Sequence, residues 1–413
     1  MFRSCIPWAL AALAWPVHAQ LSSGAATAPL TLAAALTLAA QANPRLAMAR
    51  HERDAVEGAV LQAGARPNPV VDVGFEDTRR ATRATTVTVS VPLELGGQRQ
   101  RRIDAAERGL DAASADLRTR QAELVAGVTI AFDEVLAAQQ RVRLAHESLE
   151  VAANVSASVA KRVQAGKVSP VDETRARVAQ ANVRLEALKA DADLAGARQA
   201  LAAYWGEGMP RFTAAAGNLD DVPALPDWQA LVAHLADSPA LARTRVEVAR
   251  RQALLRLEQS RRTPDVTVTM GMKRSNELGL NQAVFGVSVP LPLFDRNAGN
   301  VLEALRRTDQ AGDALLASAS DARQELAQAY RSLQTARTEA QALAGDILPG
   351  AQGAWEAAVK GFAFGKFAYV DVLDAQRTLI LAKSAHLRAL ADAHRAAATI
   401  DRLVPTAKNI HEH

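Results

Sequence analysis

Cysteine is nearly missing: the 413-residue chain has one, Cys5, placed ahead of an N-terminal apolar run. A lone thiol there excludes a disulfide framework and cysteine-based metal ligation. Aromatic residues are also scarce, at 4% of a chain that is 49% hydrophobic, so most of the apolar content is Ala and Leu. Few bulky side chains are left to fill a thick globular core, and the composition is that of long helices packed side by side. Beyond the N-terminal run, no stretch reaches the roughly 18 to 20 apolar residues of a spanning helix. The nearest candidate, Leu30 to Ala42, stops at Asn43-Pro44. Any contact with a membrane must therefore come from strands. Charge of one sign is lacking too, with 48 Lys and Arg against 44 Asp and Glu, which argues against nucleic acid or strongly acidic partners. The sequence contains no P-loop, Rossmann fingerprint, GxSxG elbow, CxxC pair or HExxH helix, so no enzyme and no cofactor is expected. His386, His394, His411 and His413 are too dispersed for a ligand cluster, and no metal site is expected.

The first residues, MFRSCIPWALAALAWPVHAQ, have one Arg, an apolar run, and small residues at the −3 and −1 places before Gln20. This is the pattern of a secretory signal over residues 1–19, with cleavage after Ala19. Cys5 leaves with it, so the exported chain is expected to be thiol-free and not lipidated.

The remainder is written twice. VSVPLELGG from Val89 returns as VSVPLPLFD from Val287, 198 residues later. NPRLAMAR from Asn43 pairs with SPALARTR from Ser238, RPNPVVDVGFE with RTPDVTVTMGM, and AGKVSPVDE with FGKFAYVDV. Four landmarks in one order at nearly constant offset indicate a tandem duplication. The expected division is a first repeat over 20–203, a linker over 204–228 that packs as a belt, a second repeat over 229–403 and a tail over 404–413. Each repeat reads as a moderate helix, two short strands, a very long helix, a glycine-bearing turn and a returning helix.

The strand pairs fall within 69–92 and 264–292, where Val71, Val73 and Phe75, Val87, Val89 and Val91, Val268, Met270 and Met272, and Phe285, Val287 and Val289 alternate with small or polar residues. One sheet lying on helices would show this pattern, and so would membrane strands with lipid on one side and water on the other. Four strands cannot close a barrel, but three copies would supply twelve. Pro92, Pro290 and Pro292 are expected to end strand pairing.

No proline occurs from Gln98 to Ser169, and Ile103, Leu110, Leu117, Leu124, Ala131, Ala138, Ala145 and Ala152 form a heptad seam. A helix from about Gly97 to Ala165 would be roughly 100 Å long. On the returning helix Val171, Thr174, Val178, Ala181, Leu185, Leu188, Ala192 and Ala195 keep the same rhythm and allow close helix approach. Pro349-Gly350 should kink or loosen the second long helix.

In LTLAAALTLAAQANPRLAMAR, VSVPLELGGQRQRR and ILPGAQGAWEAAVKGFAFGKFAYVDVLDAQRTL, the chain resembles the TolC family of outer-membrane efflux channels over nearly its whole exported length. PLELGGQR is similar in particular to the CzcC branch, the outer-membrane partners of heavy-metal RND pumps. The resemblance implies a mainly α fold with a small β part. It implies a homotrimer whose helical hairpins form a periplasmic α-barrel and whose β-hairpins form a composite 12-stranded barrel in outer-membrane lipid. It implies a periplasmic adaptor and an inner-membrane RND pump as partners, with the duct carrying metal cations; the same duct for drugs or a secreted protein remains open, as does a soluble periplasmic coiled-coil adaptor.

The two turns, 166–170 and 365–369, would then be the periplasmic tips. Gly166, Lys167, Val168, Gly365, Lys366, Phe367 and Ala368 match places where family members meet the adaptor. Asp371 and Asp374 match an acidic pair that lines the narrow periplasmic aperture, with Asp172 as its first-repeat counterpart. Asp172 is also explained as a first-turn carboxylate behind Ser169-Pro170, whereas the second tip has no Ser or Thr cap, leaving Asp371 and Asp374 less easily accounted for. A tyrosine and an arginine hold the family's tip closed; Phe362 and Phe367 stand in their places here.

Overall fold

The computed structural model describes residues 29–404, so the expected signal segment with Cys5, and His411 and His413, lie outside the described residues. The first half runs α1 (Leu32–Ala42), α2 (Pro44–Ala63), β1 (Val70–Glu76), β2 (Ala84–Leu93), α3 (Gln98–Gln164) and α4 (Pro170–Ala202). The second runs α5 (Trp228–His234), α6 (Pro239–Ser260), β3 (Val266–Ser275), β4 (Leu280–Ser288), α7 (Ala298–Ala342), a π-helical turn (Leu343–Ile347), α8 (Leu348–Ala363) and α9 (Tyr369–Leu403).

The duplication reaches down to single hydrogen bonds. Asn43 Oδ1 accepts from the Leu46 amide at 2.9 Å, with Pro44 next in sequence. Ser238 Oγ accepts from the Leu241 amide at 3.3 Å, with Pro239 next. Both moderate helices thus start on a polar cap followed by a residue that has no amide to satisfy. The 67 residues of α3, at about 1.5 Å each, span roughly 100 Å.

The strands form one antiparallel sheet in the order β1-β2-β3-β4, so the two repeats join through β2 and β3. The register sets Val71, Val89, Met270 and Phe285 in one row and Val73, Val87 and Met272 in the next. This apolar face is largely open to solvent in the single chain, with Phe285 81% and Val287 71% exposed. The opposite face carries Ser90 bonded to Thr269 at 3.0 Å and Lys273 bonded to Glu76 at 2.6 Å. Gly271 sits where a Cβ would lie 2.2 Å from the Val87 carbonyl oxygen, so β2 and β3 approach this closely only because the position has no side chain. Pro92 does not end pairing as expected: β2 continues along β3 to the Leu93 and Val266 pair. Because β1 already stops opposite Ser90, one side of the strand has no neighbour at 92, and a residue without an amide is tolerated. β4 ends at Ser288, ahead of Pro290 and Pro292.

α3 is the central helix, packed against α2, α4, α6 and α9, while α9 also packs on α7 and α8. α4 meets α3 through buried Ala176, Leu194 and Leu201. The heptad seam read from the sequence lies elsewhere on α4: Val171, Val178, Leu185 and Leu188 are all exposed. At mid-height the segment after α4 crosses the bundle. Leu30 and Ala215 bridge, Gln139 bonds both backbone groups of Ala215, and Leu219 is fully buried.

The second long helix departs from regularity not at Pro349 but at the π turn Leu343–Ile347. Proline has no amide and its ring crowds the carbonyl four residues earlier, here Gly345; widening the turn upstream absorbs both, leaving Pro349 in the first turn of α8.

Candidate functional site

Both tips close with the same hydrogen bonds. After α3 the Gly166 amide donates to Val163 O at 2.9 Å and the Lys167 amide to Arg162 O at 2.9 Å; after α8 the Gly365 amide donates to Phe362 O at 3.0 Å and the Lys366 amide to Gly361 O at 2.8 Å. Gly166 has φ +69° and Gly365 φ +73°, the left-handed backbone that ends a helix this way and that a Cβ disfavours. Lys167, Gly365, Lys366 and Ala368 are exposed and Val168 is half-buried. Phe367 is 49% exposed, yet its ring lies on Gly361, where a Cβ would stand 2.1 Å from it. The aromatic side chain is therefore held on α8, with one side facing outward.

A small core ties the tips together: Val159, Ala176, Ala358, Phe362, Tyr369 and Val372 are buried against one another. Phe362 is part of this core, and Arg162 and Tyr369 lie against it. Arg162 donates to the Phe362 and Ala363 carbonyls at 2.8 and 3.1 Å and lies over the Phe362 ring at 4.2 Å. It thus caps the carbonyl end of α8 from the neighbouring hairpin. The ring of Tyr369 packs 6.0 Å from that of Phe362. Burial, with the Asp172 carboxylate nearby, pushes its phenol above the ordinary value. Sequence reading missed Arg162 because its partners are about 200 residues away.

The three acidic candidates differ. Ser169 Oγ accepts from the Val171 amide at 3.2 Å, and Asp172 pairs with Arg175 at 3.6 Å. Asp371 Oδ2 accepts from the Ala368 amide at 2.8 Å, so it supplies the cap that the second tip lacked in the sequence. Asp374, one turn on, is exposed and makes no side-chain bond among the described residues. It lines a groove of about 1130 Å³ between α3, α4 and α9, along with Gln376, Arg377, Glu186, Lys189 and Arg388. The Gln376 Nε2 atom is buried there without a partner.

Among the described residues, no group of three His, Cys, Asp or Glu side chains converges on a point where an ion could sit. His394 belongs to the mid-height belt: its Nε2 lies 3.0 Å from Leu219 O and its Nδ1 4.0 Å from Asp133. Burial raises the Asp133 carboxyl to about 6, against a smaller opposing effect of His394.

Among the described residues, the sheet has two unpaired edges and one bare apolar face, and it is set on two long helical hairpins that end in matched tips. Such an open sheet on paired helical hairpins is suited to the wall of a channel. The chain belongs to the family described as outer membrane efflux protein, which residues 35–207 and 230–405 match. It is 48% identical over 379 residues, 92% of this chain and 91% of the relative, to the cobalt-zinc-cadmium resistance protein CzcC of Cupriavidus metallidurans. It is 28% identical over 309 residues, 73% of each chain, to the nickel and cobalt resistance protein CnrC of the same organism. Its fold is that of the MtrE outer membrane channel of Neisseria gonorrhoeae, with TM-score 0.76 and 19% identity over 90% of this chain and 88% of that one.

Proposed function

We propose that three copies of this chain form the outer-membrane exit duct of a tripartite efflux system that expels heavy-metal cations. The observation that carries this reading is the four-stranded sheet: its edges β1 and β4 are unpaired among the described residues and its apolar face is uncovered. Unpaired edges and bare apolar surface are costly in water, and joining three such sheets edge to edge removes both liabilities in a 12-stranded barrel with lipid outside. The helical hairpins then continue as a tunnel through the periplasm.

At the far end, Gly166, Lys167 and Val168 with Gly365, Lys366, Phe367 and Ala368 meet the periplasmic adaptor of an inner-membrane RND pump. Phe367, half exposed beside two lysines, is the firmest contact of this set. Asp374, Asp371 and Asp172 from three subunits surround the aperture and favour cations there. The duct is passive and the pump supplies the energy. Metal cargo is supported by the 48% identity to a protein named for cobalt, zinc and cadmium resistance. The test is deletion of the gene: sensitivity to zinc, cobalt and cadmium should rise while sensitivity to dyes and antibiotics stays unchanged. Sensitivity to the organic compounds alone would move the duct to drug efflux.

A further inference from the structure

The register shows what stands at the outer end of the apolar face. Along β3 the residues facing that side are Val266, Val268, Met270 and Met272, and the next is Arg274, paired with Thr85 in the row that also holds Phe75 and Asn281. Arg83 immediately precedes β2, two residues before Thr85, and its carbonyl accepts from the Asn276 amide at 3.0 Å. It therefore projects on the same side, diagonally next to Arg274. From Val266 to Arg274 the strand rises about 26 Å, close to the roughly 25 Å height of a membrane barrel's apolar band. Two exposed guanidiniums thus stand where that band ends.

Other charges at this end are largely neutralised. Glu76 is bonded to Lys273 on the opposite face, and Asp77 is bonded to Arg79 at 3.1 Å and to Thr82. Arg83 spends one donor on Thr78 O at 3.3 Å and Arg274 one on Asn281 Oδ1 at 3.4 Å, each keeping the rest of a five-donor fork. Arg80, exposed in the same turn, makes no side-chain bond among the described residues. The two turns are tied together, since Asn276 Nδ2 donates to Arg80 O at 3.0 Å. Arg80, Arg83 and Arg274 therefore leave a net positive edge, with Glu277 as the acidic residue not yet paired.

We infer that this edge is a lipid-binding clasp: Arg83 and Arg274, with Arg80, hold the phosphates of a phosphorylated glycolipid of the outer leaflet, whose acyl chains lie down the face formed by Phe75, Val73 and Met272. Guanidinium forks suit phosphate oxygens in paired hydrogen bonds, and an apolar face with a cationic end fits an anionic amphiphile. The inference rests on the membrane placement proposed above.

Native mass spectrometry of the full chain, extracted in detergent and stripped of lipid, tests it with bisphosphorylated lipid A, lipid A lacking its phosphates, phosphatidylglycerol and inorganic phosphate as probes. The protein should bind bisphosphorylated lipid A best. Removing the phosphates, or making the Arg83→Gln, Arg274→Gln double variant, should weaken binding about tenfold or more. Equal binding by the variant and the parent, or by phosphatidylglycerol and lipid A, would overturn the clasp, and so would binding of inorganic phosphate alone. Should the variant fail to assemble, the comparison of lipid A with its phosphate-free form on the parent protein decides the matter. A protein recovered as outer-membrane trimers without this lipid preference removes the clasp alone, whereas a water-soluble monomer removes the membrane reading and the clasp together.

Discussion

Asp374 and Asp371 are three residues apart and do different work. Asp371 is occupied by the Ala368 amide, so changing it disturbs the start of α9 as well as any field at the aperture. Asp374 makes no side-chain bond among the described residues, and Asp374→Asn is the cleaner probe: single-channel recordings should show reduced cation preference with unchanged assembly, and unaltered selectivity would remove Asp374 from the conduction path. At mid-height the sign of a second effect follows from Asp133, whose carboxyl burial raises from 3.8 to about 6. Below 3.8 both folded and unfolded chains hold this proton; between 3.8 and about 6 only the folded chain does, so its contribution to stability is lost as pH rises through that window. Asp133→Asn should remove the slope. Thermal unfolding midpoints of variant and parent should diverge in the variant's favour from about pH 4 to about pH 6 and then run parallel, with a difference worth up to about 3 kcal/mol. Parallel curves throughout would mean that Asp133 is solvated in the assembly. Neither effect was legible in the sequence. Capping by Asp371 depends on backbone geometry at Ala368, and the Asp133 shift depends on burial at mid-height, which His394, more than 200 residues away, only partly opposes.

Elements were more legible where a pattern is local. Period-2 alternation located all four strands, and the glycines before the lysines located both tips, because strand pleat and left-handed turns leave their mark within a few residues. The heptad of α4 was also visible, but its partner was not. Within the chain α4 uses Ala176, Leu194 and Leu201 against α3, and leaves Val171, Val178, Leu185 and Leu188 exposed. A heptad stripe states that a helix face is buried, not which chain buries it. In the assembly proposed here a neighbouring subunit covers this stripe. Leu185→Glu should then lower trimer recovery about tenfold, since a carboxylate is costly in a buried seam, while leaving the helical circular dichroism of each chain intact. Normal trimer yield would show that the stripe faces water. The disturbance expected at Pro349-Gly350 appears as a π turn at Leu343–Ile347 for a related reason: proline marks a disturbance, but the carbonyl it crowds lies a turn earlier.

At the scale of the molecule, every long element ends in something unfinished within one chain. Among the described residues the sheet has bare edges, the apolar strand face has no cover, and the α4 stripe is exposed. Repetition inside the sequence accounts for the twofold likeness of the hairpins and tips, but two repeats still make only four strands. Membership of the outer membrane efflux protein family agrees with a channel role for such a chain. The most direct measurement is the intact mass, by native mass spectrometry, of the protein extracted in detergent from outer-membrane fractions. The account predicts three copies per particle, released only with detergent. A monomer found in the soluble periplasmic fraction would contradict it.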